Sequence, residues 1–419
     1  MIQTQKLVAR GLSAVVLATS MAACTGSPPV DQRTAMDRTG GSGAVRWSTG
    51  VDPILFGVIA PLTGPVADAG AYVVSGLTIG VGKINAQGGV CGRPLEPIIL
   101  DGRNDPQESA NAAENLITRE QVPIIMGAWG SSSTLAVMPV VARHGIPLVV
   151  ETSSSDKITT PGTPGFDWVH RISPTSAMEA EAMKPYLVDE LGMQRVAILS
   201  VNNDWGRGAG ATFRRAIEEQ GGQIVREDYI DQTVTDVLPQ LTQINGSGAD
   251  AIVMTTGAAQ IATILKQYTE LGMDQLILTT GGSNYPVAIM QLASPEMVNG
   301  TYHVMFYVPT EHALAGDPSM SEWYYDTYAE NGYPEVGLGE SYRGFDAVHV
   351  IAQAIELNDC SLDPESLNQA LTRVEFAGLS GLVSFSEAHG HQSRPNVYLV
   401  RVDNGELTAV AADPPVEQP

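Results

Sequence analysis

The chain has 419 residues, 43% of them hydrophobic and 16% charged, which exceeds the usual size of one hydrophobic core and points to two globular domains. A formal charge of -23, with no clustered Lys and Arg, excludes nucleic acid as a partner and sets the surface against an anionic membrane.

The first 24 residues stand apart. Lys6 and Arg10 form a basic start, GLSAVVLATS an apolar centre and MAAC the end, the layout of an export signal over residues 1–23. The apolar run is short for a bilayer span. Ala22 and Ala23 before Cys24 resemble a bacterial lipoprotein signal, which implies cleavage ahead of Cys24 and lipidation of its thiol, although Met21 departs from the usual aliphatic residue. Plain secretion is the alternative. With Cys24 lipidated, Cys91 and Cys360 are an even pair in a compartment that permits disulfides, and a bond between them is expected. Two unrelated small residues is the other reading, because sequence supplies no Cα separation.

Residues 24–50 are rich in Gly, Ser, Thr and Pro without an apolar period, and read as a tether. From residue 54 short apolar runs alternate with amphipathic stretches: ILFGVIA, a helix near Tyr72–Asn85, PLEPIIL, a helix near Pro106–Arg119, VPIIMG, a helix from Ser132, and IPLVV. The stretch TTPGTPGFDWVHRISPTS ends this block, and the rhythm restarts with a helix near Ala177–Leu191. RVAILSV, GQIVREDYI, ADAIVMT, QLILTT and HVMFYVP then alternate with helices near Arg207–Gln220, Val237–Ile244 and Gln260–Leu271. Three helices follow, near Met320–Tyr328, Tyr342–Leu357 and Pro364–Arg373, and then two late strands, GLVSF and NVYLVRV. Such alternation predicts βαβ units and an α/β architecture of doubly wound parallel sheets, one per block.

Two turns carry unusual chemistry. VPIIMG runs into GAWGSSST, with Ser131, Ser132 and Ser133 where the next helix starts, and IPLVV runs into ETSSSD, with Thr152, Ser153 and Ser154 one βα unit later. A helix cap needs one hydroxyl, whereas here two adjacent strand ends both carry clusters. Ligands of open parallel sheets bind outside the carboxyl ends of the strands, where helix N-termini offer free N–H groups to an anion. Ser and Thr are also ordinary turn residues, so turn-making alone is the competing reading. Trp129 and Trp205 each follow an apolar strand, one per block, and offer aromatic faces to an amphipathic ligand or simple packing under a loop.

Motifs for catalysis are missing. No glycine stands two residues after any of these serines, so the G-x-S-x-G elbow is absent, and there is no P-loop lysine. The histidines 389 and 391 in EAHGHQS read as solvated turn residues rather than metal ligands. Neither an enzyme, a cofactor nor a metal is expected.

FGVIAPLTGPVADAGAYVVSGLTIGVGKINAQGGVCGRPLE, DPQESANAAENLI, GAWGSSST, GIPLVVETSSSDKIT and NNDWGRG, in this order, resemble the leucine/isoleucine/valine-binding proteins of bacterial ABC transporters. The resemblance covers residues 53–405. It implies a type I periplasmic binding protein: two lobes joined by a three-segment hinge, with crossings near residues 171, 308 and 376. Residues 51–171 and 308–375 would form the first lobe, and 172–307 and 376–411 the second. In that family the first lobe holds an amino acid's carboxylate, and the matching positions are Ser131, Ser132, Thr152, Ser153 and Ser154, beside Trp129. The second lobe would supply Trp205, Thr256, Gly257, Thr280 and Gly281.

The resemblance fails at one place. The family's amino-acid binders carry a glutamate for the ligand ammonium just after the strand QLILTT, and this chain reads TTGGSNY there. Ala69 also stands where the leucine binder has a tryptophan. Since a buried ammonium without a carboxylate is costly, either Glu151 or Asp204 substitutes for it, or the ligand has no ammonium. The function expected is a membrane-tethered, extracytoplasmic component of an importer, located in the periplasm or at the cell surface, that takes a small-molecule ligand and docks on ABC permease subunits. The ligand expected is a small carboxylate, most simply a branched-chain or other apolar amino acid, or else an aromatic or aliphatic carboxylate or amide without an ammonium. A ligand sensor built from the same lobes is the alternative.

Overall fold

The computed structural model describes residues 52–282, 285–308, 318–385 and 391–413. The signal, Cys24, the tether, His389 and two residues of TTGGSNY lie outside them. The first sheet contains β1 (Ile54–Ala60), β2 (Leu95–Asp101), β3 (Ile125–Gly127), β4 (Leu148–Val150) and β5 (Val169–Arg171) in the order β2-β1-β3-β4-β5, every pairing parallel. Its connecting helices are α1 (Ala67–Ala86), α2 (Pro106–Thr118) and α3 (Ser131–His144). β1 reads as an unbroken apolar run because helices cover both faces of the sheet, and six of its seven residues are buried. Asp105 starts α2 by accepting from the N–H groups of Gln107 and Glu108, with Pro106 at the first helical position.

The second sheet begins after α4 (Ser176–Leu187). It holds β6 (Arg195–Val201), β7 (Gln223–Ile230), β8 (Ala251–Thr255), β9 (Leu276–Thr279) and β10 (Tyr302–Met305), linked by α5 (Asp204–Glu219), α6 (Leu238–Gly246), α7 (Ala258–Glu270), α8 (Pro286–Leu292) and α9 (Pro295–Val298). The chain then returns to the first lobe through α10 (Pro318–Glu330), α11 (Leu338–Leu357) and α12 (Pro364–Leu371), followed by a hairpin of β11 (Glu375–Gly378) and β12 (Gly381–Ser384). Finally β13 (Val397–Asp403) and β14 (Glu406–Asp413) complete the order β14-β13-β10-β9-β8-β6-β7.

Three features differ from the expectation. β13 and β14 are antiparallel additions, so only the rest of the second sheet is parallel. Strand β14, with its thin apolar content ELTAVAAD, had no signal in the pattern, and neither had β5, β11, α8 and α9. The third crossing also comes later than residue 376: β11 and β12 pair only with each other, and the second sheet resumes at Val397. Asp346 on α11 holds the hairpin to the first lobe, accepting from Leu379 N (2.8 Å), Ser380 N (3.0 Å) and Ser380 Oγ (2.7 Å).

Helix α11 is buried over nearly its whole length and lies along α1. Glycine lets the two backbones touch: a Cβ on Gly76 would sit 1.7 Å from Ser341 O, and one on Gly344 would sit 2.1 Å from Val73 O. Around this contact Val73, Leu77, Val348 and Ile351 are essentially inaccessible, each contributing about 1.5–3 kcal/mol of apolar burial. Cys91, between α1 and β2, is disulfide-bonded to Cys360, just past the end of α11. The first and third crossings run side by side, with Arg171 N donating to His391 O (3.0 Å) and Ser393 N donating to Arg171 O (2.8 Å).

Candidate functional site

A cavity of about 750 Å³ lies between the lobes, outside the carboxyl ends of β3, β4, β6, β8 and β9. Helix α3 starts at its edge on Gly130, a cap without a side chain, so its first N–H groups receive no side-chain cap. Gly130, Ser131 and Ser132 line the cavity here, and Thr152, Ser153 and Ser154 line it from the end of β4. Six residues thus face one space with the positive end of a helix dipole behind them, and of their hydroxyls those of Ser131, Thr152 and Ser154 donate to no described group across the turn or the cleft.

The loop after β4 is braced from behind. Arg171, fully buried, donates through Nη1 to Ser153 O (3.1 Å) and Ser155 O (2.7 Å), and through its other nitrogens to Gln392 Oε1 and Thr159 Oγ1. Ser131 Oγ accepts from Ser155 N (3.2 Å), joining the two turns. Ser153 Oγ donates to Trp129 O (2.8 Å) and lies 2.7 Å from Thr134 Oγ1. That bond holds Trp129 in the left-handed region, φ 67°, where a bulky residue is strained and where binding sites recur.

The second lobe supplies the opposite wall. Trp205, in the first turn of α5, lies against Gly281 at the end of β9, where an added Cβ would come within 2.2 Å of the indole. Gly281 has φ +98°, a conformation glycine adopts freely, and its N–H donates to Glu179 Oε2 (2.8 Å). Gly257 lines the cavity at the start of α7. Much of the remaining wall is apolar or aromatic: Val66, Ala69 and Tyr72 from the first lobe, Tyr285, Ala288 and Leu292 from the second. A chamber with apolar walls, an anion-seeking corner and further polar groups such as Asn104, Asn202, Arg207 and Gln232 suits a small amphipathic acid.

Nine of the eleven sequence-predicted residues therefore meet at one cavity: Trp129, Ser131, Ser132, Thr152, Ser153, Ser154, Trp205, Gly257 and Gly281. Thr256 and Thr280 do not line it. Both are fully buried behind the strand ends, and Thr280 Oγ1 donates to Thr255 Oγ1 at 3.1 Å, across neighbouring strands. Each follows the last residue of its strand, and Thr280 is tied sideways to the neighbouring strand rather than turned to the cleft.

The two proposed substitute acids also part company. Glu151 is buried, does not line the cavity, and is pushed up to about 7 by that burial. Asp204 lines the cavity but is engaged: Ser132 Oγ donates to its Oδ2 (3.0 Å) and Lys157 Nζ to its Oδ1 (2.9 Å), with the Lys157 bond the main cause of its lowered pKa. A third acid escaped the sequence reading. Glu340, in the first turn of α11, lines the cavity, is 5% exposed, and accepts from Trp129 Nε1 (3.4 Å) beside an ion pair with Arg343 (3.2 Å). No local motif marks it: α11 also carries Asp346, His349, Gln353 and Glu356, so an acid three residues before an arginine does not stand out. Asn104, Gln232 and Gln260 were missed as well, and Asn104 Nδ2 reaches Gln232 Oε1 across the lobes (3.4 Å).

Among the described residues no cluster of His, Cys, Asp and Glu is arranged to hold a metal, and no helix is long and apolar enough to cross a membrane.

Comparison with known proteins gives the same architecture a family. The sequence model of a family described as periplasmic binding protein matches residues 53–406. The chain is 25% identical over 362 residues to Leu/Ile/Val-binding protein homolog 3 of Brucella melitensis, covering 85% of this chain and 93% of that one. A leucine binding protein from Thermotoga maritima superposes with a TM-score of 0.77 at 26% identity, covering 86% of this chain and 99% of its own. A solute binding protein of an R. palustris ABC transporter, solved in complex with 4-hydroxybenzoate, shares the fold with a TM-score of 0.75 at 23% identity, covering 87% and 98%. Two α/β lobes, a cavity between their strand ends and a family match along almost all of the described chain lead to one conclusion: the chain belongs to the periplasmic binding proteins, which bind solutes rather than transform them.

Proposed function

We propose that this protein is the extracytoplasmic substrate-binding component of an ABC importer, and that it closes on a small carboxylate, most simply a branched-chain or other apolar amino acid. One observation carries the reading: the uncapped start of α3 and the hydroxyls of Ser131, Ser132, Thr152, Ser153 and Ser154 line one corner of an otherwise largely apolar cavity. The leucine binding protein of T. maritima and the Brucella homolog support the amino-acid form. Trp205, Gly257 and Gly281 would cover the ligand from the second lobe, and closure would be ligand-driven because only the closed form contacts the ligand from both sides. Permease subunits would take the closed form, and a lipid on Cys24 would keep the protein at the membrane, in the periplasm or at the cell surface.

A second reading has its own support. No acid occurs in TTGGSNY, and the R. palustris neighbour is solved with an aromatic carboxylate that lacks an amine. A thermal-shift screen of amino acids, amides and aromatic carboxylates, followed by calorimetry, separates the two. Amino acids raising the melting temperature supports the first reading, and only amine-free acids doing so supports the second. Stabilisation by neither class overturns both.

A further inference from the structure

We infer that Glu340 receives the ammonium group of the ligand, so that the first lobe alone grips both charged ends of an amino acid. This rests on the amino-acid form of the function proposed above.

Three acids line the cavity among the described residues, and their surroundings differ. Asp68 is exposed, and Asp204 is engaged with Lys157 and Ser132 near the rim. Glu340 is the buried one, at 5% exposure. Trp129 places it: the Trp129 carbonyl is tied to Ser153 at the hydroxyl corner, while its indole N–H reaches Glu340 Oε2. Trp129 therefore touches the anion-seeking corner through its carbonyl and the carboxylate through its indole.

The charge around Glu340 favours a cation too. Arg343 lies one turn along α11, and Glu151, Glu179 and Glu340 all act on its guanidinium, three carboxyl groups to one cation. Glu151 Oε2 and Glu179 Oε1 are buried with no hydrogen-bond partner among the described residues. Burial favours the protonated forms of Glu151 and Glu179, so Glu340 is the ion-paired carboxylate of the group, and an ammonium arriving beside it gains a charged partner at the cavity wall. An acid without an amine would bring only further negative charge. The first turn of α11 holds Glu340 where the helix dipole favours its ionised form.

The test compares amino acids with their amine-free counterparts by calorimetry on the mature protein: leucine with 4-methylpentanoate, alanine with propanoate, phenylalanine with 3-phenylpropanoate. The wild type should prefer the amine-bearing member of at least one pair by about 100-fold or more. In Glu340→Gln that member should weaken by about 10- to 100-fold while the amine-free acid stays within about 3-fold. Glu340→Asp retains the charge and guards against a variant that fails to fold; it should lose part of the same preference. Equal weakening of both members in the variants, or no change in either, overturns the assignment. Tight binding of an amine-free acid with no binding of its amino acid overturns it while leaving the carboxylate corner standing. Binding of none of the six compounds by the wild type contradicts both this assignment and the function on which it rests.

Discussion

Ser132 and Asp204 meet across the cleft, each at the first turn of a helix: the hydroxyl of Ser132 donates to Asp204 Oδ2 at 3.0 Å, and Asp204 N approaches the same hydroxyl oxygen at 3.3 Å. With Lys157 Nζ on Asp204 Oδ1 and Asn104 on Gln232, this gives the two lobes direct polar contacts beyond any ligand. Ser132→Ala should weaken ligand affinity by about 3- to 10-fold, and the loss should appear as faster release rather than slower capture. Stopped-flow fluorescence of Trp129 and Trp205 measures both rates.

Gly281 and Trp205 make a second pair whose fit can be broken by one methyl group. Gly281→Ala would bring a Cβ within 2.2 Å of the Trp205 indole and force alanine to φ +98°. The variant should shift the indole off the ligand wall, lower affinity by about 10-fold or more, and change the tryptophan emission, while costing about 1–3 kcal/mol in stability. Calorimetry and a denaturant melt read these separately.

Buried carboxyls make the stability depend on pH in a defined sense. Burial raises Glu151 from 4.5 to about 7 and Glu179 from 4.5 to about 8, so between these limits the native protein keeps protons that the unfolded chain releases. Stability from these groups is full below pH 4.5 and is lost as pH rises towards 8. Buried His170, His303 and His349, held well below the usual imidazole range, pull the other way up to about pH 6.5, so the difference is the test: the melting temperature of Glu179→Gln minus that of the wild type should grow as pH rises from about 5.5 to 8. A melting temperature that rises from pH 5.5 to 8 by the same amount in both proteins contradicts this.

The disulfide Cys91–Cys360 staples the loop before β2 to the end of α11, and neither cysteine lines the cavity. Reduction should lower unfolding free energy by about 2–4 kcal/mol and leave ligand affinity within about 2-fold. Urea melts and calorimetry, each with and without reductant, test both halves of that statement.

Much of the fold was legible because its signals are local. Helices such as α2 and α5 carry their own caps and apolar faces, and strands such as β1 and β6 are covered on both sides and so run apolar without a break. β14 and β11 were not legible, since their strand character comes from partners rather than from their own residues, whereas β12 was read from GLVSF. The hydroxyl corner of the site was legible for the same local reason, two turns rich in Ser and Thr. Thr256 and Thr280 lie beside the cavity but not on its wall, because a strand end tells which residues are near a cleft but not which way each points. Glu340 was invisible because it arrives from a helix more than two hundred residues after Trp129, brought there by the packing of α11 on α1.

The account turns on whether the corner formed by α3 and the end of β4 holds a carboxylate. The most direct measurement is calorimetry of the mature protein and of a Ser131→Ala, Ser154→Ala double variant with the acid that most stabilises the wild type. Each hydroxyl removed should cost about 1.5–3 kcal/mol of binding to a charged group, so the double variant should bind at least about 100-fold more weakly with its fold intact. Equal affinity in the two proteins would place the ligand's carboxylate elsewhere and contradict the site.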